Sequence, residues 1–576
     1  MIEISDIRAT LAQGAAEQSC LAVGLIDAVR LFTCLPHYFA HIELRRRSID
    51  ARRKSDVHIV LTVRIRFAEG VDENAMLARV PERDRRRVRI ISPDPSVSAP
   101  RISTLPGTRP VVVGAGCAGL FAALRLAEAG LEPLLIERGD DATRRTQAIE
   151  CFNQTAKLDP ESNIQFGLGG AGTFSDGKLN TGTKNAAHRY ILETLVEAGA
   201  PREILWDAKP HVGSDILPTV VTQIVERIRA LGGEVRFRTK LVDIERERPA
   251  AGAITAIVVE SGAGGLGPLS RKRPEADRAA SRQESARSER IPCNQLILAC
   301  GHSARDVFEL LLHRGFAVQR KTFAMGVRIE HLQSAIDRAQ YGPAAGHRAL
   351  GAAPYKLVAH LPNGRSLFSF CMCPGGQVVA AASEPGGVVT NGASLYARDG
   401  KNANSALLVN ITPQDLPGAD PLAAVALQRA CEQRAYELGG GGFRAPAQLV
   451  GDFLKRRPSE GPGAVAPTYP LGVTWTELDS ALPAHVIETL RLGIPALDRK
   501  LKGFNVADAV LTGVESRSSS PVTVVRDRSC AALDAPGLYP CGEGAGYAGG
   551  IMSAATDGLR CADAVLAELS QKAAAR

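Results

Sequence analysis

Residues 109–139 read "RPVVVGAGCAGLFAALRLAEAGLEPLLIERG", and this stretch decides the fold. "RPVVV" is a buried-strand run, "GAGCAG" a glycine turn, "LFAALRLAEAG" an Ala/Leu-rich helix and "PLLIE" a second apolar strand. Together they make a β-α-β unit of about thirty residues. Gly114, Gly116 and Gly119 satisfy G-x-G-x-x-G at the turn, so the backbone can approach a diphosphate while the helix amides and dipole face it. The second strand ends in Glu137, 23 residues after Gly114, where a carboxylate accepts hydrogen bonds from ribose hydroxyls. Arg138, next in the chain, joins the candidate cofactor contacts.

The glycine pattern alone proves little, because further matches start at Gly167, Gly262 and Gly544. Gly262 lies in "SGAGGLGPLS" with no helix after it. The match at Gly544 sits in "YPCGEGAGYAGGIMSAATDGLRCADAV", where Gly549–Gly550 opens a regular helix. Such a helix N-terminus stabilises negative charge on the N1/C2=O edge of a flavin, and Glu543 before it can accept from ribityl or diphosphate-side groups. The match at Gly167 belongs to "FGLGGAGTFSDGKLNTG", residues 166–182. No apolar strand feeds it and no regular helix follows, so it is not the diphosphate loop. Two readings remain open: a thin loop lying against a flat ring, with Gly170 at the cofactor and Ser175, Asp176 and Lys178 at its edge, or a glycine-rich surface loop.

A chain of 576 residues with 45% hydrophobic and 23% charged residues is a folded protein of several domains. "MIEISDIRAT" has neither a basic nor an apolar signal region, no run is long enough to span a bilayer, and the expected location is the cytoplasm. Twelve cysteines are too few for a disulfide scaffold, no zinc-type CxxC pairs occur, and no metal is expected. Cys371 and Cys373 read as a dithiol beside an electron carrier or, preferably, as two small side chains on one strand face. The net charge of +8 is scattered: residues 1–100 carry 16 basic against 13 acidic residues, a net of +3. Arg45–Arg47 and Arg85–Arg87 would grip an anion or form solvated faces, the latter preferred. The segment 271–290 is polar and aperiodic and reads as a disordered surface loop.

Several stretches carry a wider resemblance: "RRRSIDARRKSD", "VVVGAGCAGLFAALRLAEAG", "FGLGGAGTFSDGKLNTG", "LACGHSARD", "FCMCPGGQVV", "NGASLYARDGKNANSALLV", "GVESRSSSPV" and "YPCGEGAGYAGGIMSAATDG". With these the chain resembles the glutathione-reductase-like flavoprotein superfamily and, more closely, a bacterial family of FAD-dependent dehydrogenase-like proteins of unassigned substrate. The resemblance implies an α/β fold: a Rossmann-type FAD-binding domain (three-layer ββα), a small N-terminal α+β domain and an inserted mixed α/β second domain. The expected divisions are 1–100 (ferredoxin-like), 106–320 and 516–576 (the FAD-binding domain, with 261–290 as an insertion away from the chemistry), and 321–515 (the substrate or cap domain). It further implies that Gly114, Gly116 and Gly119 hold the diphosphate, Glu137 the adenosine ribose and the Val242 backbone the adenine. Gly301 would end the strand returning to the cofactor, and Gly542, Glu543, Gly550 and Ile551 would lie along the ribityl chain and flavin. Cys300 stands where related flavoproteins commonly have Thr in "ATG", which leaves the motif recognisable but weakens any claim about that side chain.

FAD implies two-electron hydride exchange at N5 with a small organic substrate. Lys178 (facing anionic flavin or substrate), His302 (acid–base) and Arg517, grouped with Glu515, are the catalytic candidates. No second strand–GxGxxG–helix unit occurs, so electrons would come from the substrate, from NAD(P)H bound without its own domain, or from a partner protein. Two alternatives stay open. A flavin-dependent RNA-modifying enzyme predicts salt-sensitive RNA binding lost on mutation of Arg45–Arg47, although the near-balanced charge there counts against nucleic acid. A non-catalytic flavin redox sensor predicts no turnover after reduction. Oligomeric state is not legible, and no membrane partner is expected.

Overall fold

The computed structural model describes residues 1–92, 99–102, 107–182, 185–248, 251–262 and 287–574. The N-terminal unit is an antiparallel sheet in the order Phe39–Asp50, His58–Phe67, Ile2–Ala9, Val88–Ile90, with helix Glu17–Phe32 against it. Alternation builds its core: Ile59, Leu61, Val63 and Ile65 are all fully buried, with an intervening residue between each pair turned away. Arg47 ties this unit to its neighbours, Nε donating to the Gly14 carbonyl (2.7 Å) and Nη2 to the Ala349 carbonyl (2.5 Å). Arg87 donates to Asp27 (2.6 Å) and Arg45 to Glu43 (3.0 Å). Three arginines of the two clusters are thus held within the fold.

The cofactor-type unit centres on a parallel sheet ordered Leu538–Pro540, Leu296–Leu298, Val111–Val113, Leu134–Ile136, Glu234–Arg236. Its central strands, Leu296–Leu298, Val111–Val113 and Leu134–Ile136, are apolar on both faces because both are covered, whereas the edge strand Glu234–Arg236 turns two charged residues outward. Val112, Leu135, Ile297 and Tyr539 face helices Cys117–Glu128, Leu217–Ala230 and Ile551–Ala574. Val111, Val113, Leu134, Ile136, Leu296 and Leu298 face a three-stranded antiparallel sheet of Thr239–Arg248, Ala251–Ser261 and Arg287–Pro292. The last strand corrects the expected disordered loop: Arg287–Arg290 pair with Val258–Ser261 as an exposed, charged edge. Residues 263–286 lie outside the described residues.

Strand Val318–Arg320 leaves this unit and pairs with Val522–Val524, which returns to it. Between them a seven-stranded mixed sheet runs in the order Val358–His360, Ser366–Cys373, Asn402–Ile411, Phe323–Leu332, Val510–Glu515, Ala445–Leu449, Val473–Trp475. Helices Ala423–Leu438 and Ala484–Asp498 pack with it. Cys371 and Cys373 do not share a strand face. A bulge falls between Phe370 and Cys373, Cys371 takes φ 40° and is exposed, and Cys373 is buried. Among the described residues no helix is long and apolar enough to cross a membrane.

Candidate functional site

The Val111–Val113 strand delivers Gly114 to the turn, and Gly116 caps helix Cys117–Glu128. The three motif glycines do different work. A Cβ on Gly119 would strike the Gly114 carbonyl, and one on Gly114 the Ala299 carbonyl, so both permit close packing. At Gly116 the nearest heavy atom to such a Cβ is Gly170 Cα at 3.9 Å, so this residue alone of the three borders open space. Glu137, buried at the end of the next strand, accepts from the amides of Ala115 (2.8 Å), Gly139 (2.9 Å) and Gly167 (3.0 Å). A carboxylate offers about four lone-pair sites, so one remains for a hydroxyl.

The 166–182 stretch is not a surface loop. Its Gly169 amide donates to the Ala115 carbonyl (2.7 Å), Phe166 and Leu168 are buried, and a single 3-10 turn, Gly170–Gly172, sets Gly172 against Ile551 and Cys117. What holds it is Arg145, to which no sequence motif points. This fully buried guanidinium donates to the carbonyls of Asn163 (2.9 Å), Ile164 (2.9 Å), Gly167 (3.2 Å), Leu168 (2.6 Å) and Gly170 (2.9 Å). Burial lowers its pKa to about 10, Glu137 opposing the shift. Gly167 therefore has its amide on one buried charge and its carbonyl on the other.

The chain's far end closes the same space. The Gly542 amide donates to Asp557 Oδ2 (2.7 Å), Gly544 packs on the Gly301 backbone, and Gly558 lets helix Ile551–Ala574 approach Ala118. Cβ atoms on Gly301, Gly549 or Gly550 would meet nothing within 4 Å. The glycine walls and the vacant carboxylate lone pair fit an extended dinucleotide. Val242 is the extra residue of a bulge between Leu241 and Asp243, so its backbone is skipped by the ladder.

Glu543 stands beside these glycines, with His302 Nε2 at 3.9 Å. Burial pushes its carboxyl up to about 7, against the pull of Lys321 and the Gly550 amide. Lys321, itself lowered by burial, donates to the Gly546 carbonyl (2.5 Å). Burial and the charges of Arg517 and Arg305 lower His302 to about 4, so its ring is neutral at pH 7. His302 Nδ1 contacts Ser303 Oγ (3.1 Å), which donates to Gln165 Oε1 (2.9 Å). Lys178 is half-buried, its ammonium 3.3 Å from Asp176 Oδ2 and also on the Met372 carbonyl, linking the loop to the second sheet's bulge.

Two expected contacts are corrected. The Arg138 guanidinium is engaged by Glu161 (2.6 Å) and Asp306 (2.9 and 3.0 Å), so its charge is already paired within the protein. Arg517 does not group with Glu515. Its Nε and Nη2 donate to Glu432 (3.0 and 2.8 Å) and Nη1 to Ser383 (2.5 Å), while Glu515 accepts from Arg328 (3.0 and 2.8 Å). Glu432 also takes Arg305 (2.7 and 2.9 Å), and this pairing of one carboxylate with two arginines holds it down to about 2 despite its burial. Arg517 is therefore a buried structural cation. Cys541, Asp557 and Cys561 lie together, but Arg526 donates to Asp557 (3.0 and 2.6 Å) and Cys561 (3.2 Å), supplying the positive charge.

Three families match successive parts of the chain: a domain of unknown function at residues 1–66, an NAD(P)-binding Rossmann-like domain at 112–155, and an FAD-dependent protein, C-terminal domain-like, at 322–518. An uncharacterized protein of Clostridium beijerinckii is 43% identical over 534 residues, covering 92% of each chain. Among solved structures, a triple mutant of the flavin-dependent brominase Bmp2 aligns at 11% identity with a TM-score of 0.34, covering 80% of each chain. Thermovibrio ammonificans THI4 aligns at 15% identity with a TM-score of 0.24, covering 37% of this chain and 66% of that one. The chain belongs to the family of the clostridial protein, and it is an FAD-binding flavoprotein with a Rossmann-like dinucleotide unit.

Proposed function

We propose that this flavoprotein is an oxidoreductase that exchanges a hydride between flavin N5 and a small organic substrate, with NAD(P)H as a candidate reductant. Bound FAD supplies the two-electron chemistry. The observation that carries the reading is that the Arg145-clamped loop touches both helix starts, Gly170 lying against Gly116 and Gly172 against Cys117 and Ile551. In this reading the first-turn amides of helix Cys117–Glu128 bind the diphosphate and Glu137 orients the ribose. Glu543, Gly550 and Ile551 line the ribityl and ring, with the Ile551–Ala574 helix dipole favouring negative charge there. Lys178, tied to both the loop and the Met372 carbonyl, sets the second sheet against the ring and keeps a cation at the substrate's edge. In this reading Arg47 takes no part in the chemistry, being committed to carbonyls on two other segments.

The test is anaerobic. Purified yellow protein is mixed with NADH, NADPH and panels of small alcohols, amines, acids and aromatics while flavin absorbance is followed by stopped flow. Bleaching that saturates with one donor, followed by product formation, supports the reading. A flavin that no donor reduces, or that exchanges electrons without releasing product, refutes it in favour of a sensor.

A further inference from the structure

Glu543 is surrounded by groups that make it a proton-holding site rather than a fixed charge. It sits next to open glycine backbone, and the charged and titratable groups facing it come from three other elements: Lys321 before the Phe323–Leu332 strand, His302 after the Leu296–Leu298 strand, and Cys117 at the start of the Cys117–Glu128 helix. Lys321 is turned to the Gly546 carbonyl and does not close an ion pair with Glu543. Behind the His302 ring stand Arg517 and Arg305, both neutralised by Glu432. The imidazole that faces the carboxyl is kept uncharged first by its burial and then by the charges of Arg517 and Arg305, and Ser303 and Gln165 fix its orientation. With a neutral imidazole 3.9 Å away and a side chain only 26% exposed, the Glu543 carboxylate has little to offset its charge and is poised to take a proton.

We propose that Glu543 and His302 form a proton-uptake pair, in which the Glu543 carboxylate takes one proton from solvent as two electrons enter the adjacent flavin. This rests on the placement of the ring beside Gly549–Gly550 proposed above. The balance is two electrons from the reductant with one proton to the ring, and one further proton to Glu543. Negative charge gained by the ring raises the proton affinity of the neighbouring carboxylate, and the O–H bond formed on Glu543 offsets that charge. Glu543 is the group that carries the proton, and His302 positions it.

The test is a spectroelectrochemical titration of the holoprotein from pH 5.5 to 9, reading protons taken up per electron pair from the slope of midpoint potential against pH. The wild type is expected to show a window opening near pH 7 in which two protons accompany two electrons, with one proton on either side. Glu543→Gln should hold one proton per electron pair through that window. An unchanged window in Glu543→Gln, or no window in the wild type, overturns the proposal while leaving FAD binding itself standing. If Glu543→Gln fails to retain flavin, His302→Asn decides the matter. Loss of the imidazole must move the window to lower pH, and an unmoved window overturns the proposal. Protein that never binds FAD would instead overturn the placement of the cofactor.

Discussion

Replacing Arg145 by methionine should abolish flavin binding although the residue borders no open space. The side chain is fully buried and its three nitrogens satisfy five carbonyl oxygens of the segment 163–170. Methionine fills most of the volume and satisfies none of them. The carbonyls of Gly167, Leu168 and Gly170 keep second donors in the Gly170 amide, Thr173 Oγ1 and the Thr173 amide, so those of Asn163 and Ile164 are left orphaned; at about 2 kcal/mol each, holding the loop in place would cost about 4 kcal/mol. The loop will rearrange instead, and with it Gly167 and Gly169, which donate to Glu137 and Ala115 at the dinucleotide turn. Apparent affinity falls in proportion to the fraction of protein still in the competent arrangement, so about 4 kcal/mol predicts weakening of about a thousandfold. The assay is fluorescence titration of FAD into apoprotein, paired with limited proteolysis between residues 160 and 175. Arg145→Lys, with one nitrogen in place of three, should fall between the two. An Arg145→Met protein that binds FAD within about threefold of wild type and resists protease equally would show that the clamp has no role in the site.

Gly116→Val should keep the fold and lose the flavin, because its side chain enters open space, whereas Gly119→Val should lose both, because its side chain enters the Gly114 carbonyl; circular dichroism with flavin content separates them. Glu432→Gln leaves Arg305 and Arg517 without their shared carboxylate and should destabilise the protein by about 3–5 kcal/mol in urea unfolding. Arg517→Lys should lower stability without changing KM, and loss of turnover in a fully folded Arg517→Lys protein would restore Arg517 to the chemistry. His302 is lowered from 6.5 to about 4 by folding, so the folded state binds fewer protons than the unfolded chain below pH 6.5. Stability is therefore intact above pH 6.5 and drains away as the pH falls towards 4, by about 2.5 kcal/mol at pH 4.5. His302→Asn should remove that share of the acid sensitivity, measured as the difference between urea midpoints at pH 7 and pH 4.5.

What the sequence makes legible is whatever a window of thirty residues contains. Strand, turn, helix and Glu137 all lie between residues 109 and 139, and the two strands pair with each other while the Ala115 amide closes on Glu137 within that window, so pattern and structure coincide there. The departures share a cause. Arg138 and Arg517 read as ligand contacts because they flank motifs, but carboxylates outside those motifs engage them, Glu161 and Asp306 for Arg138 (23 and 168 residues away) and Glu432 for Arg517 (85 residues away). Arg145 stays hidden because "ATRRTQAIECFNQT" looks like an ordinary polar helix, and nothing local separates it from its neighbour Arg144. The bulge at Cys371 and the strand at Arg287–Arg290 follow from cross-strand register, which a period-2 pattern cannot supply. A charged residue beside a cofactor motif is therefore weak evidence of contact until its counter-charge is located, since an unpaired guanidinium in a folded interior is costly and will draw a carboxylate from anywhere in the chain. Lys178 differs from Arg138 and Arg517 in one respect: its counter-charge, Asp176, is shared with Arg398, but its side chain keeps more exposure than theirs.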